Sequence, residues 1–248
     1  MTREAHTWSI APGLACLAAM VGCQVASGLS ADPGRFTEVI VVLLAASAVG
    51  LAASTAGAGR AAAGFAAAAV LGYAAELVGV GTGWPFGEYE YTDALHPRLF
   101  GVPVVVAAAW AGMGLAAYAV ARAAVPGRRW LRLAVGALAL TAWDLFLDPQ
   151  MVRQGVWVWR EDGPYHGIPW SNFAGWLLVS LAIMAVLDRV AGAGLAGRGL
   201  LWLYTVMAVM ETLGFAVVFR PPDPLVATVG GIGMGIFVVL AWRRRWQR

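Results

Sequence analysis

"LAASTAGAGRAAAGFAAAAV", residues 51–70, decides how often this chain crosses a membrane. Read as one helix with its flanks, it gives about 40 continuous apolar residues. At 1.5 Å per residue that is about 60 Å, twice the hydrocarbon thickness of a bilayer. Read as two helices broken at "GAGR" (Gly57 to Arg60), it gives two spans of ordinary length, 38–56 and 61–80. The second reading is the expectation.

Six other runs are long enough to span: 8–29, 100–122, 131–147, 171–190, 199–219 and 225–242. The chain thus reads as an all-α polytopic membrane protein of about eight transmembrane helices, one helical domain over 1–248 with aromatic-rich outer loops. Composition agrees. Of 248 residues, 60% are hydrophobic and 12% charged, about half the charged fraction of a soluble domain. Cys16 and Cys23 lie seven apart in one run, too far apart on a helix for a disulfide.

Arginine placement tests the count, because all 17 basic residues are Arg. With eight spans, Arg3, Arg60, Arg122, Arg128, Arg129, Arg132, Arg189, Arg198, Arg243, Arg244, Arg245 and Arg248 share one side. Arg35, Arg98, Arg153, Arg160 and Arg220 take the other, twelve against five. The positive-inside rule then puts both termini in the cytoplasm of a multi-pass cell-membrane protein. The length of the first run, and its lack of a small-x-small cleavage site, favour a retained helix over a signal peptide. The terminal "WRRRWQR" reads as a topology and headgroup signal, with no nucleic-acid partner.

The acids distribute the opposite way. Only Glu4 and Asp188 fall on the inner side, and most of the rest, Asp148 among them, fall in or beside outer loops. Glu76, Asp144 and Glu211 lie inside spans three, five and seven, each in the outer half. A carboxyl in hydrocarbon costs roughly 2.5 kcal/mol or more, so it is kept for a partner or for chemistry. Without a cation nearby, apolar surroundings favour the neutral form of a carboxyl, which is a proton donor.

The outer loops are "GWPFGEYEYTDAL" (83–95) and "DLFLDPQMVRQGVWVWREDGPYHGIPWSNFAGW" (144–176). Asp148 lies one helical turn beyond Asp144, and Pro149 is expected to end the helix there. "VWVW" (156–159) reads as a short extended segment. Trp84, Phe86, Tyr89, Tyr91, Trp157, Trp159, Tyr165 and Trp170 crowd these loops. For any one of them interfacial anchoring is the plain reading. Together, flanking acids, they suit a pocket that shields a carbocation. "ELVG" (76–79) and "ETLG" (211–214) echo each other over too few residues to claim a repeat.

Other chemistries fit less well. His6, His96 and His166 are scattered, with no HxxxH or CxxC, so no metal site is expected. Asp144 to Asp148 forms the DxxxD that membrane prenyltransferases use for a metal diphosphate, but no second Asp-rich motif accompanies it. "GGIGMG" (230–235) reads as close helix packing. A proton-coupled transporter is the rival from another class, since buried acids also mark proton pathways.

"GWPFGEYEYTDAL…LFGVPVVVAAAW", "DLFLDP", "GVWVWREDGPYHGIPWSNFAGW" and the in-span Glu76 together resemble the integral-membrane carotenoid-biosynthesis family that includes the carotenoid 1,2-hydratases. The resemblance covers the whole chain, most specifically Glu76 to about Trp176. His96, before "PRLFGVP", departs from the pattern and bears on substrate choice. The resemblance implies a lipophilic polyene with an acyclic ψ end group as substrate and water as co-substrate. It also implies a bilayer setting, no cofactor, and other enzymes of the pathway as neighbours. Protonation of the terminal alkene gives a tertiary cation; water capture makes an alcohol, and attack by the next double bond makes a ring, so cyclisation stays open beside hydration. The expected acid/base set is Glu76, Asp144 and Glu211 with Asp148 next. The expected pocket is Trp84, Phe86, Tyr89, Tyr91, Trp157, Trp159, Tyr165 and Asn172.

Overall fold

The computed structural model describes residues 2–246, with side chains over 10–243. Arg248 and the side chains of Arg3, Glu4, His6, Arg244 and Arg245, which enter the charge count, lie outside the described residues. Eight helices occur among the described residues, each long and apolar enough to cross a membrane: α1 Thr2–Leu29, α2 Thr37–Ala56, α3 Ala58–Thr82, α4 Val105–Ala124, α5 Arg129–Arg153, α6 Trp170–Val190, α7 Arg198–Leu213 and α8 Pro224–Trp246. The helix count expected from the sequence is the one observed.

The break between α2 and α3 falls at Gly57, with φ of 83°. That left-handed region suits glycine and ends a helix where an L side chain would be strained. At the other end of the chain, Asp223 Oδ1 accepts the Val226 N–H at 3.1 Å, an N-cap just before Pro224 opens α8.

The bundle is built around α4, which packs on α2, α3, α5, α6, α7 and α8. Every residue from Trp110 to Ala121 is buried, and most are Ala or Gly, so neighbouring backbones approach closely. Outward positions elsewhere keep large apolar side chains, among them Val42, Val70, Trp202 and Ile232. Lipid is the solvent such a surface suits.

Three departures from the sequence expectation concern the end of the bundle that carries the aromatic-rich loops. Pro149 does not end α5; the helix continues to Arg153, so Asp148 lies inside it and is 1% exposed. A proline cannot donate to the carbonyl four residues back. Here the Tyr165 hydroxyl donates to that carbonyl, Leu145 O, at 2.8 Å, so the missing bond is replaced from another loop. The fourth helix begins at Val105, five residues later than the apolar run, because Arg98–Leu99 (β2) and Val102–Pro103 (β3) form a tight antiparallel pair. The seventh helix finishes as a π-helical turn over Gly214–Val218.

The extended segment expected at "VWVW" is strand β4 (Trp157–Trp159). It pairs antiparallel with β1 (Tyr89–Tyr91), matching Tyr89 to Trp159 and Tyr91 to Trp157. The two aromatic-rich loops are therefore joined by one two-stranded ribbon. Alternation along β1 buries Tyr89 and Tyr91 and leaves Glu90 exposed, facing Arg160 at 3.4 Å.

Candidate active site

Three of the four acids named above converge beneath the ribbon. Glu76 projects from α3, and Asp144 and Asp148 from successive turns of α5; all three are buried. Glu76 Oε2 accepts the Tyr89 hydroxyl at 2.5 Å and the Tyr91 hydroxyl at 2.9 Å, while Oε1 accepts Trp110 Nε1 at 2.9 Å. Gly79, one turn beyond Glu76, leaves the room this needs, since a Cβ there would lie 2.8 Å from both Phe86 Cδ2 and the Tyr89 hydroxyl.

The two aspartates are joined by Asn172 of α6. Its Nδ2 donates to Asp144 Oδ2 at 2.8 Å and also to Asp148 Oδ2. Trp157 Nε1 donates to Asp148 Oδ1 at 2.8 Å. Asp144 Oδ1 and Trp159 Nε1 are buried without a hydrogen-bond partner among the described residues. Among the described residues no arginine pairs with any of these acids. The ion pairs among the described residues lie elsewhere, such as Asp188 with Arg129 at 2.8 Å and Arg132 at 2.7 Å.

Burial, and next the Glu76 charge, push the Tyr89 and Tyr91 hydroxyls far above the usual tyrosine value. Both phenols therefore keep their protons across any working pH. A tyrosine hydroxyl can donate or accept, so this pair can accommodate Glu76 with or without its own proton.

Two cavities meet at Glu76. One is an apolar slot of about 50 Å³ between α2, α4 and α5, lined by Thr37, Val41, Leu95, Val105, Val106, Ala109, Leu147 and Met151 together with Trp110, Trp176, Trp157 and Tyr91. Trp110 and Trp176 stack at 3.9 Å between centroids. Glu76 is the acid on its wall. The other cavity, about 20 Å³, lies between Glu76, Asp148, Asn172, Tyr89, Tyr91 and Trp159. It has room for about one water molecule.

The remaining expected residues sit differently. Phe86 is buried against Tyr89 and Trp110 and lines the small cavity. Trp84 is 62% exposed and lines neither cavity. Tyr165 completes the α5 backbone and also stays outside both. Glu211 is buried in α7 but lines a separate cavity with Gln24 and Gln150, so the structure does not bring it to the other acids. The His96 side chain is exposed, and its backbone N–H donates to Glu38 Oε1 at 2.6 Å.

Sequence reading missed Trp110 and Trp176, which were absorbed into spans four and six. For Trp110 the available signal was depth, ten residues into the run 100–122 and away from the interface where tryptophan usually sits; Trp176 lies only five residues into its run.

Comparison with known proteins places this geometry. A family model described as carotenoid biosynthesis protein matches residues 37–241, from the start of α2 almost to the end of α8. A bisanhydrobacterioruberin hydratase of Haloarcula japonica is 37% identical over 120 residues, 47% of this chain and 41% of that protein. The matched stretch thus spans less than half of the curated relative's length. No solved structure matches. On the family match, which covers most of the chain and all the converging acids, this chain belongs to the carotenoid biosynthesis protein family.

Proposed function

We propose that the protein adds water across the terminal double bond of an acyclic carotenoid end group. One observation carries this reading: Glu76 stands on the wall between an apolar slot and a polar cavity of water-molecule size. Hydration of an alkene needs a proton donor facing the alkene and a water held beyond it. The hydratase similarity of part of the chain supports the same reaction class.

In this reading the end group enters the slot from lipid between α2 and α4, and Glu76 delivers its proton to the terminal alkene. The anion left on Glu76 is stabilised by donors from Tyr89, Tyr91 and Trp110. The tertiary cation lies against Trp110, Trp176 and Trp157, where cation–π attraction in a dry site is about 2 kcal/mol or more per ring. Water in the small cavity, held by Asn172 and Asp148, attacks the cation and gives a proton to Asp148. That proton returns to Glu76 across the shared cavity. One water enters, one C–O and one C–H bond form, and no electrons are exchanged, so the atoms balance without a cofactor. Asp144 acts through Asn172 as a positioning residue.

The test is expression in a lycopene-accumulating bacterial host with pigments separated and weighed by liquid chromatography and mass spectrometry. The expected product is heavier than lycopene by one water, or two if both ends react. A product of unchanged mass with shifted absorbance would replace hydration by cyclisation. Unaltered pigment with proton-coupled uptake in sealed vesicles would replace both by transport.

A further inference from the structure

The cavity that holds Glu211 is lined by none of the residues that line the slot or the water-sized cavity. It spans about 300 Å³ between α1, α2, α5 and α7. Four hydrogen-bonding side chains line it from three helices: Gln24, Ser27, Gln150 and Glu211, of which Ser27 already donates to Pro33 O at 3.1 Å. Gln24 Oε1 is buried with no hydrogen-bond partner, its Nε2 meeting only Met207 Sδ at 3.6 Å. Glu211 is 8% exposed and its carboxyl has no hydrogen bond or ion pair among the described residues. The rest of the wall is apolar, chiefly Val25, Ile40, Met210 and Phe219.

Such a wall selects its ligand. A bare hydrocarbon chain would leave the Glu211 carboxyl unpaired. An anion would meet a carboxyl and two amides without a cation. A hydroxyl donates to one acceptor and accepts from the Gln150 amide, and the apolar wall takes a branched aliphatic body behind it. A wider neighbouring cavity of about 500 Å³ shares Gly28, Gln150, Val218 and Phe219 with this one. It reaches Arg153 at the end of α5 and Asp32 and Arg220 in the neighbouring loops, giving the site an opening toward the end of the bundle.

We infer that the Glu211–Gln24–Gln150 cavity is a second binding site, taking a neutral branched lipophile that ends in one hydroxyl group. The ligand could be an already hydrated polyene end or a lipid alcohol of the membrane; both carry this chemistry, and the test separates them. The site stands apart from the catalytic reading and survives its failure.

The experiment is calorimetric titration of the full-length Glu76→Gln protein in detergent with three probes of equal carbon skeleton. These are the tertiary alcohol tetrahydromyrcenol, the primary alcohol tetrahydrogeraniol and the hydrocarbon dimethyloctane. An alcohol is expected to bind about tenfold more tightly than the hydrocarbon. Gln24→Leu and Glu211→Leu should each remove that preference. Gln24→Leu, at a half-buried position, carries the test alone if Glu211→Leu fails to fold. Preference for the tertiary alcohol identifies a hydrated polyene end, and preference for the primary alcohol a membrane lipid alcohol. Equal binding of hydrocarbon and alcohols, or a preference untouched by Gln24→Leu, overturns the site and leaves a cleft filled by lipid tails. Activity of the unaltered enzyme on polyenes is read separately, so either result stands without the other.

Discussion

At the scale of single residues, the position of Glu76 makes the sharpest demand. Glu76→Gln keeps the shape of the side chain and its acceptor for Trp110, and replaces the oxygen shared by Tyr89 and Tyr91 with an amide nitrogen that cannot protonate an alkene. Hydration is expected to fall about 10²–10⁴-fold, the usual contribution of a positioned general acid, with the protein still in the membrane. Asp148→Asn should lose turnover on a similar scale, while Glu211→Gln, in a different cavity, should cost far less. Product formed per unit of membrane-inserted protein separates the three. Equal losses at Glu76 and Glu211 would return Glu211 to the acid/base set. The paired phenols add a pH signature. Their folded-state values lie above the unfolded value of about 10. Their contribution to stability is therefore complete below about pH 10 and is lost as pH rises beyond it. Unfolding followed at increasing alkaline pH should show stability falling from about pH 10, and Tyr91→Phe should flatten that fall.

At the scale of elements, the continuation of α5 through Pro149 is the feature on which the acid site depends. Had the helix ended there, Asp148 would be its last residue, with no helical turn beyond it. The hydrogen bond from Tyr165 to Leu145 O replaces the one that proline cannot make. Tyr165→Phe leaves that carbonyl unpaired and should destabilise the protein by about 1–3 kcal/mol. Adding Pro149→Ala restores a backbone N–H in the helix, so the double variant should recover most of the loss. Thermal midpoints of the two single variants and the double variant test this. Additive losses would show that the hydroxyl and the proline act independently. The same helix explains what the sequence could and could not reveal. Asp144 stood out because an acid inside an apolar run is costly, and a run of 20 residues is visible locally. The end of α5 was expected too early, at Pro149, because the group that completes the backbone there comes from residue 165. Pairing of β1 with β4 was hidden for the same reason, its partners lying about 70 residues apart. Glu211 looked equivalent to Glu76 because depth along a helix can be read from sequence. The direction in which a helix turns its face is set by packing and cannot be read that way.

At the scale of the whole molecule, charge and chemistry divide between the two ends of the bundle. The ribbon, Glu76 and the aspartate pair occupy one end, and Asp188 with Arg129 and Arg132 marks the other. The arginine distribution predicts that the second end is the cytoplasmic one, because the positive-inside rule keeps cationic loops on that face. The proposed reaction would then draw its water from the outer side. Labelling with a membrane-impermeant maleimide, in a background with Cys16 and Cys23 replaced by alanine, decides the matter. Glu90, exposed on the ribbon, and Arg128, exposed before α5, are the reporter positions. Glu90→Cys should label in intact cells, and Arg128→Cys only after the membrane is opened. The reverse pattern would turn the bundle over. It would place the acid site at the cytoplasmic face and leave the clustered arginines on the side where the positive-inside rule does not put them.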